Sequence, residues 1–222
     1  AITMMNNMQY EEAISKFEAI DFYKDSKDKI TECKYGQATS LLENDEAQKA
    51  KTIFKQLNDY RDSKDKVTEC DYKIALKNKS DGELLKSYNQ FVALGDYKDS
   101  KEQLDKLKSP MYKKGVELYK SEDYTEAKQY FEKTVDYDRE DDYFKLIDAH
   151  QGNLTHISEI YYLTDFEDTK EILLNDENIY VFLRGHWTGS NGKYLTYDGR
   201  SSYNIPWSYD GEYYKLEDGA HY

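Results

Sequence analysis

The sequence is poor in the residues on which several classes of protein depend. Its 222 residues include two cysteines, two prolines and four histidines. No apolar run approaches the ~20 residues needed to span a bilayer. Basic residues number 31 against 44 acidic ones, whereas a surface that follows nucleic-acid phosphates needs clustered Lys and Arg. The composition therefore argues against a nucleic-acid ligand and against a transmembrane segment within these residues.

Motifs for catalysis and metal binding are also scarce. Neither cysteine neighbours a histidine, and the four histidines lack the spacing of metal ligands. Segment 136–141 imitates the start of a calcium-binding loop, but Asp141 stands where glycine is required and Ile147 where glutamate is required. We predict a solvated turn there, and a protein that is not an enzyme and has no catalytic residues, cofactor or metal. The histidines are His150, His156, His186 and His221.

An acidic segment that carries a tyrosine occurs three times at a fixed interval. Its copies read DFYKDSKDKITEC from residue 21, NDYRDSKDKVTEC from residue 58 and GDYKDSKEQLDKL from residue 95. A phenylalanine stands six residues before each tyrosine, and Phe131 stands six before Tyr137 in a fourth unit. Such self-similarity is typical of stacked repeats. The tyrosines are Tyr23, Tyr60 and Tyr97, and the phenylalanines are Phe17, Phe54 and Phe91.

The residues around each phenylalanine predict a pair of helices. Ala50 and Ala47 stand four and seven residues before Phe54, and these offsets mark one helix face. We predict that each unit contains a longer and a shorter helix, and that the repeated segment joins the short helix of one unit to the long helix of the next. Its aspartates, such as Asp62, are expected to cap the long helix. A repeated ligand site is the alternative. The other two aspartates are Asp25 and Asp99.

This spacing resembles the tetratricopeptide repeat, although the usual unit of that family has 34 residues and these have 37. The resemblance covers roughly residues 1–150, with units at about 1–23, 24–60, 61–97 and 98–137. It implies a mainly α protein, an α-solenoid of stacked helix hairpins. The variant with DYKDS joints is similar to repeats of membrane-anchored proteins from low-GC Gram-positive bacteria, which implies an extracytoplasmic location, with a cytoplasmic one as the alternative. The matching residues are Ala38, Ala50 and Phe54 in one unit, and Gly115, Tyr124, Ala127 and Phe131 in another.

Three features depart from the regular pattern. The interval lengthens near Pro110, where we expect the long helix to split or kink because proline lacks the backbone N–H. Residues 151–176 read as a degenerate helical cap, with Ile160 in the phenylalanine position. Ala1 corresponds to the middle of a first helix, which predicts further chain upstream.

Cys33 and Cys70 occupy equivalent places in successive repeats. We expect two free thiols packed between helices.

The last segment, 177–222, differs in composition from the helical part. Short aromatic and β-branched runs alternate with Asn-Gly and Asp-Gly pairs, which favour tight turns. We predict a small antiparallel β-meander of four or five strands, truncated at its end. Its aromatic residues could stack on sugar rings, which makes a cell-surface carbohydrate-binding protein the alternative function, or they could form the core of the sheet. They are Trp187, Tyr197, Tyr203, Trp207 and Tyr209.

The principal functional hypothesis follows from the repeat. Long helices of tetratricopeptide-like solenoids line a concave groove, and that resemblance implies a non-catalytic scaffold for proteins or peptides. The net charge of about −10 on residues 1–175 favours a basic partner. The tyrosines of this surface could instead only cover the seams between helices. The groove positions implied by the resemblance are Glu32, Tyr35, Thr39, Leu42, Glu69, Tyr72, Leu76, Tyr112, Val116 and Tyr119.

Overall fold

In a computed structural model the chain is mainly α-helical, and its residues form two compact units, 1–114 and 115–222. No helix in the described part is long and apolar enough to cross a membrane. The described residues are 1–20, 22–23, 25–163 and 166–174, with the backbone of four short strands at 186–188, 194–196, 207–209 and 214–216.

Consecutive helices of the first unit pack against one another, from α1 (Ile2–Asn6) on α2 (Tyr10–Glu18) to α5 (Ser63–Ser80) on α6 (Leu84–Leu94). This arrangement confirms the prediction of a mainly α chain with helices packed in neighbouring pairs. The last helix of this unit, α7 (Ser100–Lys120), continues past residue 114. The helices are α1 Ile2–Asn6, α2 Tyr10–Glu18, α3 Ser26–Glu43, α4 Ala47–Leu57, α5 Ser63–Ser80, α6 Leu84–Leu94 and α7 Ser100–Lys120.

The helix faces predicted from the repeat are the buried ones. On α4 the side chains of Ala47, Ala50 and Phe54 lie in the core, and Phe54 has no exposed surface. On α6 Ser87 takes the place of the small apolar residue, and its buried hydroxyl donates to the carbonyl of Ala75 at 2.9 Å. That bond removes the cost of burying a hydroxyl without a partner.

Both cysteines are free and buried, as predicted. Cys33 packs with the core of α2, and Cys70 packs with that of α4. Burial raises the pKa of the Cys70 thiol to about 11 and also raises that of Cys33. Because the thiolate is the nucleophile, both residues are structural and neither is poised for chemistry.

The prediction that aspartates cap the long helices through side-chain hydrogen bonds is wrong at Asp25 and Asp62. Asp25 and Asp62 stand directly before α3 and α5, but neither side chain accepts a hydrogen bond from the start of its helix. The segment before α5 is closed instead by the buried hydroxyl of Ser63, which donates to the carbonyl of Tyr60 at 2.5 Å. Ser100 makes the same bond before α7.

The predicted split at Pro110 is also wrong, because α7 continues through this residue from Ser100 to Lys120. A kink there stays a prediction.

The second unit combines short helices with two strand pairs. Phe131, Leu146, Ile147 and Ile160 are its most buried large apolar side chains. The strand at 186–188 pairs antiparallel with that at 194–196, and the strand at 207–209 pairs antiparallel with that at 214–216. The single meander stays a prediction, because the residues between the pairs lie outside those described. The elements are α8 Tyr124–Phe131, α9 Glu140–His150, α10 Ile157–Ile160, a 3-10 turn Tyr161–Leu163, α11 Thr169–Leu174, β1 His186–Thr188, β2 Tyr194–Thr196, β3 Trp207–Tyr209 and β4 Tyr214–Leu216.

Candidate functional site

Two tyrosines of the predicted groove take part in a repeated contact between helices. The hydroxyl of Tyr35 on α3 donates to the carboxylate of Asp62, and the hydroxyl of Tyr72 on α5 donates to that of Asp99. Donor and acceptor are 27 residues apart in both cases. We call each pair a tyrosine–aspartate clamp. Since each aspartate directly precedes the next long helix, each clamp links successive long helices.

Aromatic rings surround both clamps in the same way. The ring of Tyr35 meets Phe54 edge-on with 5.7 Å between centroids, and it meets Tyr60 at 5.8 Å. The ring of Tyr72 meets Phe91 at 6.0 Å and Tyr97 at 5.8 Å in matching geometry. Edge-on aromatic pairs at these distances are attractive. The tyrosine of the repeated segment is thus a packing partner of the clamp.

A cation covers each clamp. Arg61 lies 4.9 Å from the Tyr35 ring centroid, and Lys98 lies 4.9 Å from that of Tyr72. Both residues have a φ of 51°, in the left-handed region that non-glycine residues rarely adopt. Their side chains also approach a glutamate, Glu32 at 3.6 Å and Glu69 at 3.8 Å. Ring and carboxylate contacts therefore offset the strain of this backbone conformation.

The clamp keeps its phenol protonated. The hydrogen bond to Asp99 raises the pKa of Tyr72 to about 12, and the bond to Asp62 raises the pKa of Tyr35. The same bond from Tyr72, with a second from Gln103, lowers the pKa of Asp99. A nucleophilic tyrosine would need a lowered pKa, so neither phenol is activated for catalysis.

The predicted acidic walls of the groove are already paired with cations. Glu32 binds Lys29 at 2.9 Å, and Glu69 binds Lys66 at 2.9 Å, each within its own helix. These pairs lower the pKa of both glutamates. A basic ligand at this surface would have to compete with cations of the chain itself.

The remaining groove positions fall into two groups. The hydroxyl of Thr39 donates to the carbonyl of Tyr35 at 2.9 Å. The side chains of Leu42 and Tyr119 are buried, so they do not form part of an exposed binding surface. The half-buried positions are Thr39, Leu76, Tyr112 and Val116.

In the second unit, a tyrosine again donates its hydroxyl to an aspartate of a connecting segment. Tyr119 donates to Asp168, which stands before α11 as Asp62 stands before α5. His150 meets the other carboxylate oxygen of Asp168 at 2.6 Å. Tyr124 stacks on the imidazole of His150, with 4.4 Å between centroids and 11° between planes. Burial, followed by the bond to Asp168, raises the pKa of Tyr119.

This cluster borders a shallow depression of about 250 Å³. Two tyrosines and three carboxylates line it, together with one ammonium group, that of Lys120, which lies 3.6 Å from Glu167. In the first unit the depression beside Phe54 is lined by two lysines and no acid. The lining residues in the second unit are Tyr119, Lys120, Glu122, Tyr124, Glu167 and Asp168.

The acidic surplus of the helical part lies wholly in the second unit. Residues 1–114 contain 21 basic and 21 acidic residues, whereas residues 115–174 contain 6 basic and 16 acidic ones. Within the helical part, the negative electrostatic potential that would attract a cationic partner therefore arises from the second unit.

Sequence reasoning did not find the roles of Tyr124, His150 and Asp168. The sequence pattern assigns Tyr124 only to the repeat, and it shows only that His150 lacks the spacing of a metal ligand. The available signal was segment 165–169, which resembles the repeated segment and carries Asp168 in the position of Asp62.

The proposed sugar-stacking residues are only partly within the described residues. Trp187 lies in β1, and Trp207 and Tyr209 lie in β3. Tyr197 and Tyr203 lie outside the described residues.

No protein-family model matches the chain, and neither a curated protein nor a solved structure shows a match to it. Within the described residues no group of three or more His, Cys, Asp or Glu side chains is arranged to hold a metal ion.

Proposed function

We propose that the chain is a non-catalytic scaffold that binds proteins or peptides, built from tetratricopeptide-like helix pairs joined by DYKDS segments. The observation that carries the proposal is the depression beside Tyr124, which is lined by two tyrosines and three carboxylates in the acidic second unit. The long-helix surface with Tyr35 and Tyr72 serves mainly to hold successive repeats together. The binding surface of the scaffold is then centred on the second unit.

The chemistry of the depression suits a lysine or arginine side chain. A guanidinium or ammonium group is attracted to the face of a tyrosine ring and to carboxylates around it. Glu122 is exposed at the rim, and Asp168 is held in place by Tyr119 and His150. Residues fixed by such contacts lose little freedom on binding. A basic segment of a partner protein would place one cationic side chain there.

The experiment compares peptides that carry a single arginine with the same peptides carrying citrulline, which has the same shape without the charge. Arginine peptides should bind the intact chain more tightly, and higher salt should slow their association. Tyr124→Ala should weaken binding by more than about 1 kcal/mol, as loss of a central aromatic contact does. Glu122→Gln should weaken it less, because this carboxylate lies at the rim.

Two variants serve as controls. Tyr124→Phe keeps the ring that stacks on His150 and should bind normally. Glu126→Gln makes the same charge change as Glu122→Gln on the neighbouring helix, outside the depression. Equal binding of arginine and citrulline peptides, or equal losses for Glu122→Gln and Glu126→Gln, would overturn this site. If only variants of Tyr35 and Tyr72 weakened binding, the binding site would be the long-helix surface instead.

A further inference from the structure

Lys79 differs from the other lysines of α5 in its bonding partner. Each of the other four forms an ion pair with a carboxylate, whereas the half-buried Lys79 donates to the uncharged amide oxygen of Gln103 at 2.8 Å and forms no ion pair among the described residues. Withdrawing a charge from water is costly unless an opposite charge compensates it. Burial, followed by the nearby charge of Lys106, lowers the pKa of Lys79. The four ion pairs are Lys64 with Asp59, Lys66 with Glu69, Lys73 with Asp45 and Lys77 with Asp81.

The amide that holds Lys79 is itself fixed by the neighbouring clamp. Gln103 is buried, and its amide nitrogen donates to Asp99 at 2.8 Å, the aspartate that also accepts from Tyr72. This bond directs the amide oxygen of Gln103 toward Lys79. A protonated lysine has three N–H donors, and Gln103 accepts from one of them. The ammonium is therefore held in a defined position with donors left for another acceptor.

The sequence changes at this point of the long-helix surface in a way that packing does not require. Where α3 meets α5, the equivalent positions hold a buried leucine and an ion pair between lysine and glutamate at 2.9 Å. Where α5 meets α7, they hold a lysine, a glutamine and a second lysine, which pairs with Glu102 at 2.7 Å. The first seam shows that an apolar side chain suffices in the position of Lys79. The equivalent residues are Leu42 and Lys79, Lys66 and Gln103, and Glu69 and Lys106.

We propose that the seam between α5 and α7 binds an aspartate or glutamate side chain of a partner protein, held by Lys79 and, at the rim, by the exposed Lys106. A carboxylate would supply the opposite charge that Lys79 lacks and accept its remaining donors in charge-assisted hydrogen bonds. Leu76 is half-buried on α5 one turn before Lys79, on the same helix face. An acidic residue flanked by apolar ones therefore fits this surface. The proposal does not depend on the depression beside Tyr124, which selects the opposite charge.

The probes are the capped peptide acetyl-Leu-Glu-Leu-amide and its uncharged counterpart with glutamine in the centre. Each is titrated into the full chain labelled with ¹³C at the lysine Cε, and loss of a signal in Lys79→Met assigns Lys79. The glutamate peptide should shift this signal saturably and raise the pKa of Lys79, because a neighbouring negative charge favours the protonated form. The glutamine peptide should do neither.

Lys79→Met should weaken binding of the glutamate peptide about tenfold, the effect of losing a hydrogen bond between charged groups. The backbone amide signal of Gln103 reports binding in this variant. Lys106→Met should weaken binding less, because this lysine is exposed and already paired. Lys79→Arg keeps the charge and should retain binding.

Lys86 is the matched control, because this exposed lysine of α6 also forms no ion pair among the described residues. Its signal should not move, and Lys86→Met should bind normally. Equal shifts at Lys79 and Lys86, equal binding of the two peptides, or unchanged binding by Lys79→Met would overturn the proposal. Acetate that shifts the Lys79 signal as strongly as the peptide does at equal concentration would also overturn it, since the site would then accept any small carboxylate without the apolar flanks.

Discussion

In both units a tyrosine hydroxyl donates to an aspartate that precedes a later helix, but the charges around this contact differ. In the first unit, charges balance, and each clamp repeats the same tyrosine, aspartate and covering cation. In the second unit, acidic residues exceed basic ones by ten over residues 115–174, and Asp168 accepts from both Tyr119 and His150. The regular first unit has balanced charges, whereas the second unit, which departs from the regular repeat, has an acidic surplus.

The largest expected effect on stability comes from a feature that both units share, a buried phenylalanine packed on a tyrosine. Phe54 and Phe131 are both fully buried, and each packs on a tyrosine, edge-on at Tyr35 and stacked at Tyr143. Phe54→Ala and Phe131→Ala should each reduce the free energy of unfolding by about 3–5 kcal/mol. Denaturant titration measures the loss, and hydrogen exchange shows which helices become less protected. A loss below about 1 kcal/mol would show that the surrounding core is not continuous at that position.

A second prediction compares one glycine of each unit by how freely the neighbouring aromatic side chain can move aside. A Cβ on Gly115 would lie 2.9 Å from the ring of buried Phe131, whereas one on Gly36 would lie 2.5 Å from the outer end of half-buried Tyr10. Gly115→Ala should cost about 1–3 kcal/mol through overpacking. Gly36→Ala should change stability by less than about 1 kcal/mol, because Tyr10 can turn outward and alanine favours the helix. Thermal unfolding of both variants measures the contrast, and equal effects would contradict it.

Periodicity predicted the inside of the helices well because burial repeats along a helix face. Ala50 and Phe54 could be placed in the core from their spacing alone. The left-handed backbone of Arg61 could not be predicted, because arginine has no local preference for it. The partner of Asp62 was also missed, since the choice between the helix N-terminus and Tyr35 depends on how two helices pack. The same limit hid the stacking of Tyr124 on His150.

The third prediction distinguishes a clamp from a cap at Asp62. Asp62→Ala should cost about 0.5–1.5 kcal/mol, the net contribution of one hydrogen bond, here at an exposed site. In a Tyr35→Phe background the same change should cost much less, since the hydroxyl that the carboxylate accepts is already gone. A double-mutant cycle by urea denaturation measures the coupling. An unchanged cost in the Tyr35→Phe background would show that Asp62 stabilises the start of α5 independently of the clamp.

The smallest expected effect is the pH dependence of the clamp between Tyr72 and Asp99. The bond lowers the pKa of Asp99 from its ordinary value of 3.8, so its stabilisation is present above that value and is lost as pH falls through the lowered pKa. The bond raises the pKa of Tyr72 from 10.0 to about 12, so stabilisation is present below 10 and is lost as pH rises through 12.

The difference in unfolding free energy between the unaltered chain and Tyr72→Phe should therefore form a plateau between these limits and shrink on both sides. Tyr88→Phe is the control, because this half-buried tyrosine of α6 lies outside the clamps. Ultraviolet titration of the phenols reports the alkaline side directly, and Tyr72→Phe should remove one of the phenols that ionise late. A Tyr72→Phe difference that stays constant into acid and alkali would mean that the hydroxyl, although close to Asp99, contributes nothing to the link between α5 and α7.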